Sequence, residues 1–181
     1  MFLIFDLECT GLLHHMLMDS EARIHCLMAQ ELEMKDGELV KGRLGEFYDA
    51  PLPATGDEWV YLGGLDRIPE YLGDMSALGG HNIIEFDLPI LVNKLGYTPP
   101  PNQQNVDSLI ISRKNFPDRP GGHAVEAWGP RLGYSKVEHE DWSEMTVDVR
   151  HRCREDVKIE TEIMFRVLDE MKKGVEKCQT A

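Results

Sequence analysis

The chain has 181 residues, of which 42% are hydrophobic and 28% are charged, and these proportions exclude wholesale disorder and a membrane span. Its length predicts one globular domain over residues 1–181, because two ordinary domains need a longer chain. The formal net charge of −13 disfavours nonspecific binding to polyphosphates, so a contact with nucleic acid would have to be local.

The first part of the chain is predicted to form strands. Residues 1–8 are mostly apolar, and residues 23–35 lead through an Asp36-Gly37 turn into the segment ELVKGRL, which is a hairpin pattern. We therefore expect three antiparallel strands at the start of the sheet, followed by a loop over residues 51–56.

Helical patterns follow the strands. Residues 65–78 predict a helix, and residues 81–96 predict a turn or short strand that leads into a second helix. VDSLIIS is a further short ordered segment, and residues 123–133 predict helical pieces broken around Gly129-Pro130. The last 30 residues carry the clearest helical stripe, made of Val157, Thr161, Met164, Leu168 and Met171. Strands first and helices after predict an α/β fold with a mixed sheet covered by helices.

Two carboxylates stand at the end of the first strand. Because strand side chains alternate, Asp6 and Glu8 lie on one face, roughly 7 Å apart along the backbone. Oxygen ligands of this kind suit Mg²⁺ or Mn²⁺ rather than zinc. Taken alone, D-x-E equally fits a strand that ends in solvent, and Asp87 and Asp156 equally fit acids at helix N-termini.

His151 precedes Asp156 by five residues, which is about 140° of rotation on a regular helix. Both side chains cannot face one cleft from the same regular helix, so we expect His151 in the loop or cap before the helix. Taken alone, a histidine at this place also fits a surface or capping residue.

Three motifs together resemble one family. FDLECTGL, HNIIEFDLPIL and HRCREDV resemble motifs I, II and III of the DEDD, or DnaQ-like, 3′→5′ exonucleases, and the third is similar to that of the DEDDh branch. The motifs occur in the family's order and span almost the whole chain. Residues 107–142 also resemble the exonuclease domain of small single-subunit phage DNA polymerases, which carry Tyr where this chain has Arg152.

The resemblance implies a ribonuclease H-like fold and a set of site residues. Two divalent metal ions, Mg²⁺ or Mn²⁺, would be held by Asp6, Glu8, Asp87 and Asp156. His151 would be the general base that accepts the proton of the attacking water. Substrate contacts are implied for Thr10, Gly11, Leu12, His81, Asn82 and Phe86, with a modest contribution expected from Arg152. Phe86 equally fits the core.

The function implied is a metal-dependent 3′→5′ exodeoxyribonuclease that acts on the 3′ end of single-stranded DNA and releases nucleoside 5′-monophosphates. We expect a phage-derived protein that proofreads with a DNA polymerase as partner. Two alternatives stay open, an exoribonuclease on short RNA and a catalytically silent nucleic-acid-binding replication module. Basic residues expected to guide the nucleic-acid backbone are Arg113, Lys114, Arg119, Arg150, Arg152, Arg154 and Lys158.

The N-terminus shows no secretory signal pattern, which predicts a cytoplasmic protein, in the host cytoplasm if a phage encodes it. The four cysteines are scattered without a C-x-x-C pair, so we expect reduced thiols and no zinc knuckle.

Overall fold

The structure is a computed structural model that describes residues 1–134 and 141–179, with the backbone alone for residues 174–179. Six strands form one mixed sheet in the order β4-β3-β2-β1-β5-β6. The strands are β1 (Phe2–Cys9), β2 (Ile24–Lys35), β3 (Glu38–Tyr48), β4 (Trp59–Gly63), β5 (Ala77–Gly80) and β6 (Gln104–Asp107). β1, β2 and β3 are antiparallel, and the other three strands join them in parallel pairs.

Helices cover both faces of this sheet. They are α1 (Leu13–Met18), α2 (Ile68–Gly73), α3 (Asp87–Leu95), α4 (Ser108–Asn115), α5 (Val125–Leu132) and α6 (Val147–Gln179). On one face, Leu3, Phe5 and Leu7 of β1 share a core with residues of α2 and α3. On the other face, Ile4 packs with Ile159 of α6, which crosses β1 and β2. None of the helices in the described ranges is long and apolar enough to cross a bilayer.

The hairpin and the second predicted helix are confirmed. Asp36 and Gly37 both have positive φ, 53° and 84°, as a tight turn between twisted strands requires. Pro89 lies in the first turn of α3, and Gly96 ends that helix in the left-handed conformation, with φ of 64°. The single α/β domain with a mixed sheet is confirmed as well.

Two predictions of secondary structure are wrong, and one strand was missed. Residues 65–78 form a short 3-10 turn (Leu65–Arg67) and α2, and from Ala77 they form β5, because pairing with β1 outweighs helix propensity there. Within residues 123–133, Val125–Leu132 form one unbroken helix, α5, with Pro130 inside it, stabilised by the burial of Trp128. β4 was not predicted, although its sequence, WVYLG, is rich in strand-forming residues.

Candidate active site

Asp6 and Glu8 lie at the carboxyl end of β1, on the sheet face that α6 covers. Ile4, two residues earlier, packs against Ile159 and Ile163 of that helix. Because side chains alternate along a strand, the two acids continue the same face beyond the last apolar contact. Both acids remain partly exposed, so the end of β1 presents two carboxylates to a cleft.

Asp156 of α6 completes a cluster of three acids. One carboxylate oxygen from each of Asp6, Glu8 and Asp156 lies within 4.8 Å of the others. Ligands about 2.1 Å from one Mg²⁺ lie roughly 3 to 4 Å from each other, so small rotations would bring these oxygens into a coordination shell. The donor set is all oxygen and all acidic, which fits a hard divalent cation.

Asp87 lies behind this cluster rather than in it. It is buried at the first position of α3, and its Oδ1 accepts a hydrogen bond from the backbone N–H of Leu7 at 3.3 Å. β5 pairs with β1 only from Phe2 to Ile4, so it leaves the Leu7 N–H to Asp87. Asp87 is not among the residues that line the cleft. Its place is beside the backbone that carries Asp6 and Glu8.

The acids repel one another strongly. Burial raises the pKa of Asp6 well above its usual value, and the charges of Glu160, Glu8, Asp87 and Asp156 raise it further. Burial also raises the pKa of Asp87 to about 7, against the lowering effect of the Leu7 N–H. A divalent cation would relieve this repulsion, which is a second sign that the donor set fits a metal.

Glu160 is a site acid that the sequence reasoning missed. It lies one helical turn after Asp156 and is 3% exposed. Its Oε2 accepts a hydrogen bond from the backbone N–H of His81 at 3.2 Å, and burial raises its pKa well above the usual value. The i,i+4 spacing from Asp156 was the available signal, since residues four apart share a helix face.

The cleft beside these acids has a volume of about 340 Å³. Its lining includes the acids Asp6, Glu8, Asp156 and Glu160, the predicted contacts His81, Asn82, Phe86 and Arg152, and also Arg113, Glu126 and Trp142. The structure therefore brings motifs I, II and III to one cleft. Arg113 is exposed at its rim.

His81 faces the cleft from the end of β5. Its Nδ1 lies 2.8 Å from the hydroxyl of Ser108, and burial lowers its pKa to about 4, so the ring is neutral at pH 7. Within the described residues its Nε2 has no hydrogen-bond partner although it is buried. A neutral imidazole with an uncommitted nitrogen beside the acids fits a contact with a nucleotide.

The turn after His81 is held by Asp107, at the start of α4. Asn82 adopts a left-handed conformation, with φ of 76°. The carboxylate of Asp107 accepts hydrogen bonds from the N–H groups of Asn82 and Ile84, and also caps α4 through Leu109. One buried acid thus fixes the segment that leads to Asp87.

The predicted contacts Thr10, Gly11 and Leu12 do not line the cleft. The hydroxyl of Thr10 accepts a hydrogen bond from the N–H of Arg23, which holds the turn after β1. Leu12 is 80% exposed at the start of α1, an unusual position for a large apolar side chain. These three residues lie between β1 and α1, shortly after Glu8 in the chain, and their contact with substrate stays a prediction.

His151 is not placed where the sequence predicted. α6 begins at Val147, so His151 lies inside the helix rather than in the loop or cap before it. Its side chain is exposed, and it is not part of the cleft lining. Arg152 lines the cleft instead, and its Nε donates to Oδ2 of Asp156 at 2.7 Å. In the sequence, Thr146 was the signal that α6 begins at Val147, because its hydroxyl caps the helix by accepting a hydrogen bond from the N–H of Val149.

The prediction that the basic clusters guide nucleic acid is wrong for three arginines, because other contacts hold them. Arg150 is 2% exposed and donates to the carbonyl of Pro53 at 2.8 Å. Arg154 is 5% exposed and pairs with Glu46. The guanidinium of Arg119 lies 4.3 Å from the centre of the Trp128 ring. Among the described residues, the lysines and arginines that line the cleft are Arg113 and Arg152.

Comparisons with known proteins agree with this fold. No protein-family model matches the chain, and a search of curated proteins gives no match. Among solved structures, Brucella melitensis NrnC bound to pGG superposes with a TM-score of 0.59 at 16% identity, over 98% of this chain and 76% of NrnC. Exonuclease X in complex with 5′ overhanging duplex DNA gives a TM-score of 0.44 at 17% identity, over 92% of each chain. The chain has the ribonuclease H-like α/β fold.

Proposed function

We propose that the chain is a metal-dependent 3′→5′ exonuclease that hydrolyses phosphodiester bonds at the 3′ end of single-stranded DNA and releases nucleoside 5′-monophosphates. The observation that carries this proposal is the cluster of Asp6, Glu8 and Asp156, with ligand oxygens within 4.8 Å of one another, at the carboxyl end of β1 in a ribonuclease H-like sheet. The likeness to NrnC, which was solved with pGG bound, supports a nucleic-acid substrate.

Each residue has a distinct part in this proposal. Asp6, Glu8 and Asp156 bind the cations, and Asp87 contributes charge from behind while it orients the backbone of β1 through Leu7. Bound Mg²⁺ or Mn²⁺, two ions in our proposal, supplies a water of lowered pKa and a positive field for the attacking and leaving oxygens. His151 as the general base stays a prediction, since its side chain lies outside the cleft lining.

The substrate is proposed to enter as a single strand. The cleft of about 340 Å³ is at the small end of ligand pockets, which suits one terminal nucleotide. His81, Asn82 and Phe86 line the cleft and would contact this nucleotide, and Leu12 would contact its base from outside the cleft lining. The net charge of −13 predicts weak, salt-sensitive binding that depends on metal loading.

The biological setting is a further part of the proposal. A weakly binding exonuclease gains from a partner that delivers the 3′ end, because effective concentration replaces affinity. The local resemblance to a polymerase-linked domain supports a DNA polymerase as that partner, and with it a proofreading role and a phage origin. An exoribonuclease on short RNA is the second candidate, favoured by the NrnC likeness and its bound pGG.

The test is a time course on 5′-labelled single-stranded DNA and RNA of one sequence, with Mg²⁺, with Mn²⁺ and with chelator. We expect a ladder that shortens from the 3′ end, needs metal and forms faster on DNA. Asp6→Ala should abolish it without unfolding the protein, since removing one acid relieves repulsion.

The other outcomes each change the proposal. Faster degradation of RNA would establish the second candidate. Normal activity in Asp6→Ala would contradict the site. A protein that binds DNA and cleaves neither nucleic acid would be the catalytically silent module.

A further inference from the structure

Position 152, rather than position 151, faces the acids of the cleft. Residues 152 and 156 are separated by about 40° around a regular helix, whereas residues 151 and 156 are separated by about 140°. The side chains in the structure follow this geometry. Arg152 lines the cleft together with Asp156, and His151 is exposed outside the lining.

Arg152 is held in place by an ion pair. Its Nε donates to Oδ2 of Asp156 at 2.7 Å, and each of the two side chains is 10% exposed. The other cation of the described lining, Arg113, is exposed at the rim. Arg152 is therefore the buried cation in a cleft that is otherwise rich in carboxylates.

An arginine at this place excludes one chemical role and favours another. A guanidinium group offers hydrogen-bond donors and no acceptor, so it cannot take the proton of an attacking water. Its planar set of donors matches the non-bridging oxygens of a phosphate. Donors aimed at oxygens on which charge develops lower the barrier of the reaction.

We propose that Arg152 is a catalytic residue that donates hydrogen bonds to the non-bridging oxygens of the scissile phosphate, held there by Asp156. This inference rests on the proposed exonuclease function. In the step itself, the water oxygen bonds to phosphorus, and the bond from phosphorus to the 3′ oxygen breaks. The water proton passes to the general base of the proposed function, and the 3′ oxygen takes a proton from solvent.

The first arm of the test compares three variants in hydrolysis of a single-stranded DNA oligonucleotide. Removing a transition-state donor predicts that Arg152→Gln lowers kcat by about 100-fold. Arg152→Lys keeps the charge without the planar donors and should lose about tenfold.

Arg166→Gln is the matched control for the loss of an arginine from α6. Arg166 is exposed and forms an i,i+4 pair with Glu170 at 3.5 Å, outside the cleft lining. The same substitution there removes the same charge and the same kind of pair. It should leave kcat within about twofold, because exposed pairs contribute little.

The second arm needs no turnover. Affinity for a fluorescent oligonucleotide, measured by anisotropy with Ca²⁺ in place of Mg²⁺, should fall about tenfold in Arg152→Gln. Mn²⁺ affinity without oligonucleotide should rise by roughly three- to tenfold in the same variant, because a competing cation has left the acids. If Arg152 only kept Asp156 in position, its loss would weaken Mn²⁺ binding instead.

The outcomes separate this inference from the function on which it rests. Near-normal kcat in Arg152→Gln, with an active wild type, would overturn the inference while keeping the exonuclease. A wild-type protein that cleaves nothing would overturn the exonuclease. In that case, oligonucleotide affinity equal in Arg152→Gln and Arg166→Gln would overturn the phosphate contact too, and a selective loss would support it.

Discussion

Replacing Asp87 by Asn should stabilise the metal-free protein at alkaline pH. Asn keeps an oxygen that can accept from the N–H of Leu7, but it never becomes charged. Burial raises the pKa of Asp87 from 3.8 to about 7, so the folded state holds its proton more tightly than the unfolded chain does. The wild type therefore loses stability as the pH rises from about 4 through 7, and the variant avoids this loss.

The size of the effect follows from the same pKa values. A rise from 3.8 to about 7 corresponds to roughly 4 kcal/mol at pH 8, and to less than about 1 kcal/mol at pH 4. For a chain of this length, roughly 4 kcal/mol would raise Tm by about 10 °C. These figures are upper limits, because the amide also has to be buried.

The assay is urea unfolding of wild type and Asp87→Asn in chelator at pH 4 and pH 8, with exposed Asp118→Asn as the matched control. The variant should be the more stable protein at pH 8 only, and saturating Mn²⁺ should reverse the order by stabilising the wild type. A variant less stable than the wild type in chelator at pH 8, or a difference that does not change with pH, would refute the reasoning.

Two further predictions concern buried groups. At pH 4, where Glu160 is protonated in the folded protein, Glu160→Ala should lower the free energy of unfolding by about 1 to 3 kcal/mol, because the N–H of His81 loses its acceptor. Glu160→Gln keeps an acceptor and should be more stable than the wild type in chelator at pH 8, because it removes a buried charge. Urea unfolding of both variants checks this, and equal losses would contradict it. Arg119→Ala should cost about 2 to 3 kcal/mol, through lost contacts with Trp128 and Glu170, and should leave oligonucleotide affinity unchanged. Weaker oligonucleotide binding by a folded Arg119→Ala would contradict this and indicate that Arg119 contacts nucleic acid.

Local signals in the sequence predicted the parts of the fold that local chemistry determines. The Asp36-Gly37 turn determines the register of the hairpin, and Gly96 ends α3 because it can adopt positive φ. β5 could not be predicted in this way. Its four residues, Ala77–Gly80, are ordered by pairing with strands distant in sequence.

The acids could be predicted and the residue beside them could not. Alternation along β1 places Asp6 and Glu8 together whatever surrounds them. The choice between His151 and Arg152 depends on whether the helix has begun, and a shift of one residue turns the side chain by about 100°. Thr146, which caps the helix, indicates that the helix begins before residue 151. A single threonine is a less specific sequence signal than the H-x-x-x-x-D pattern.

The burial of the basic residues depends on tertiary contacts. Arg150 donates a hydrogen bond to the carbonyl of Pro53, and Arg154 donates one to the carboxylate of Glu46. Both partners are about 100 residues away in the chain. A cluster of arginines in sequence therefore gave no reliable sign of a surface for nucleic acid.

The most direct test of the account is a titration of the metal-free protein with Mn²⁺, followed by the loss of the free-ion electron paramagnetic resonance signal. We predict that the wild type removes two ions per chain from solution and that Asp6→Ala removes fewer, with Asp118→Ala as an unaffected control. Equal binding by Asp6→Ala and wild type, or no binding by either, would contradict the claim that Asp6, Glu8 and Asp156 form a metal centre.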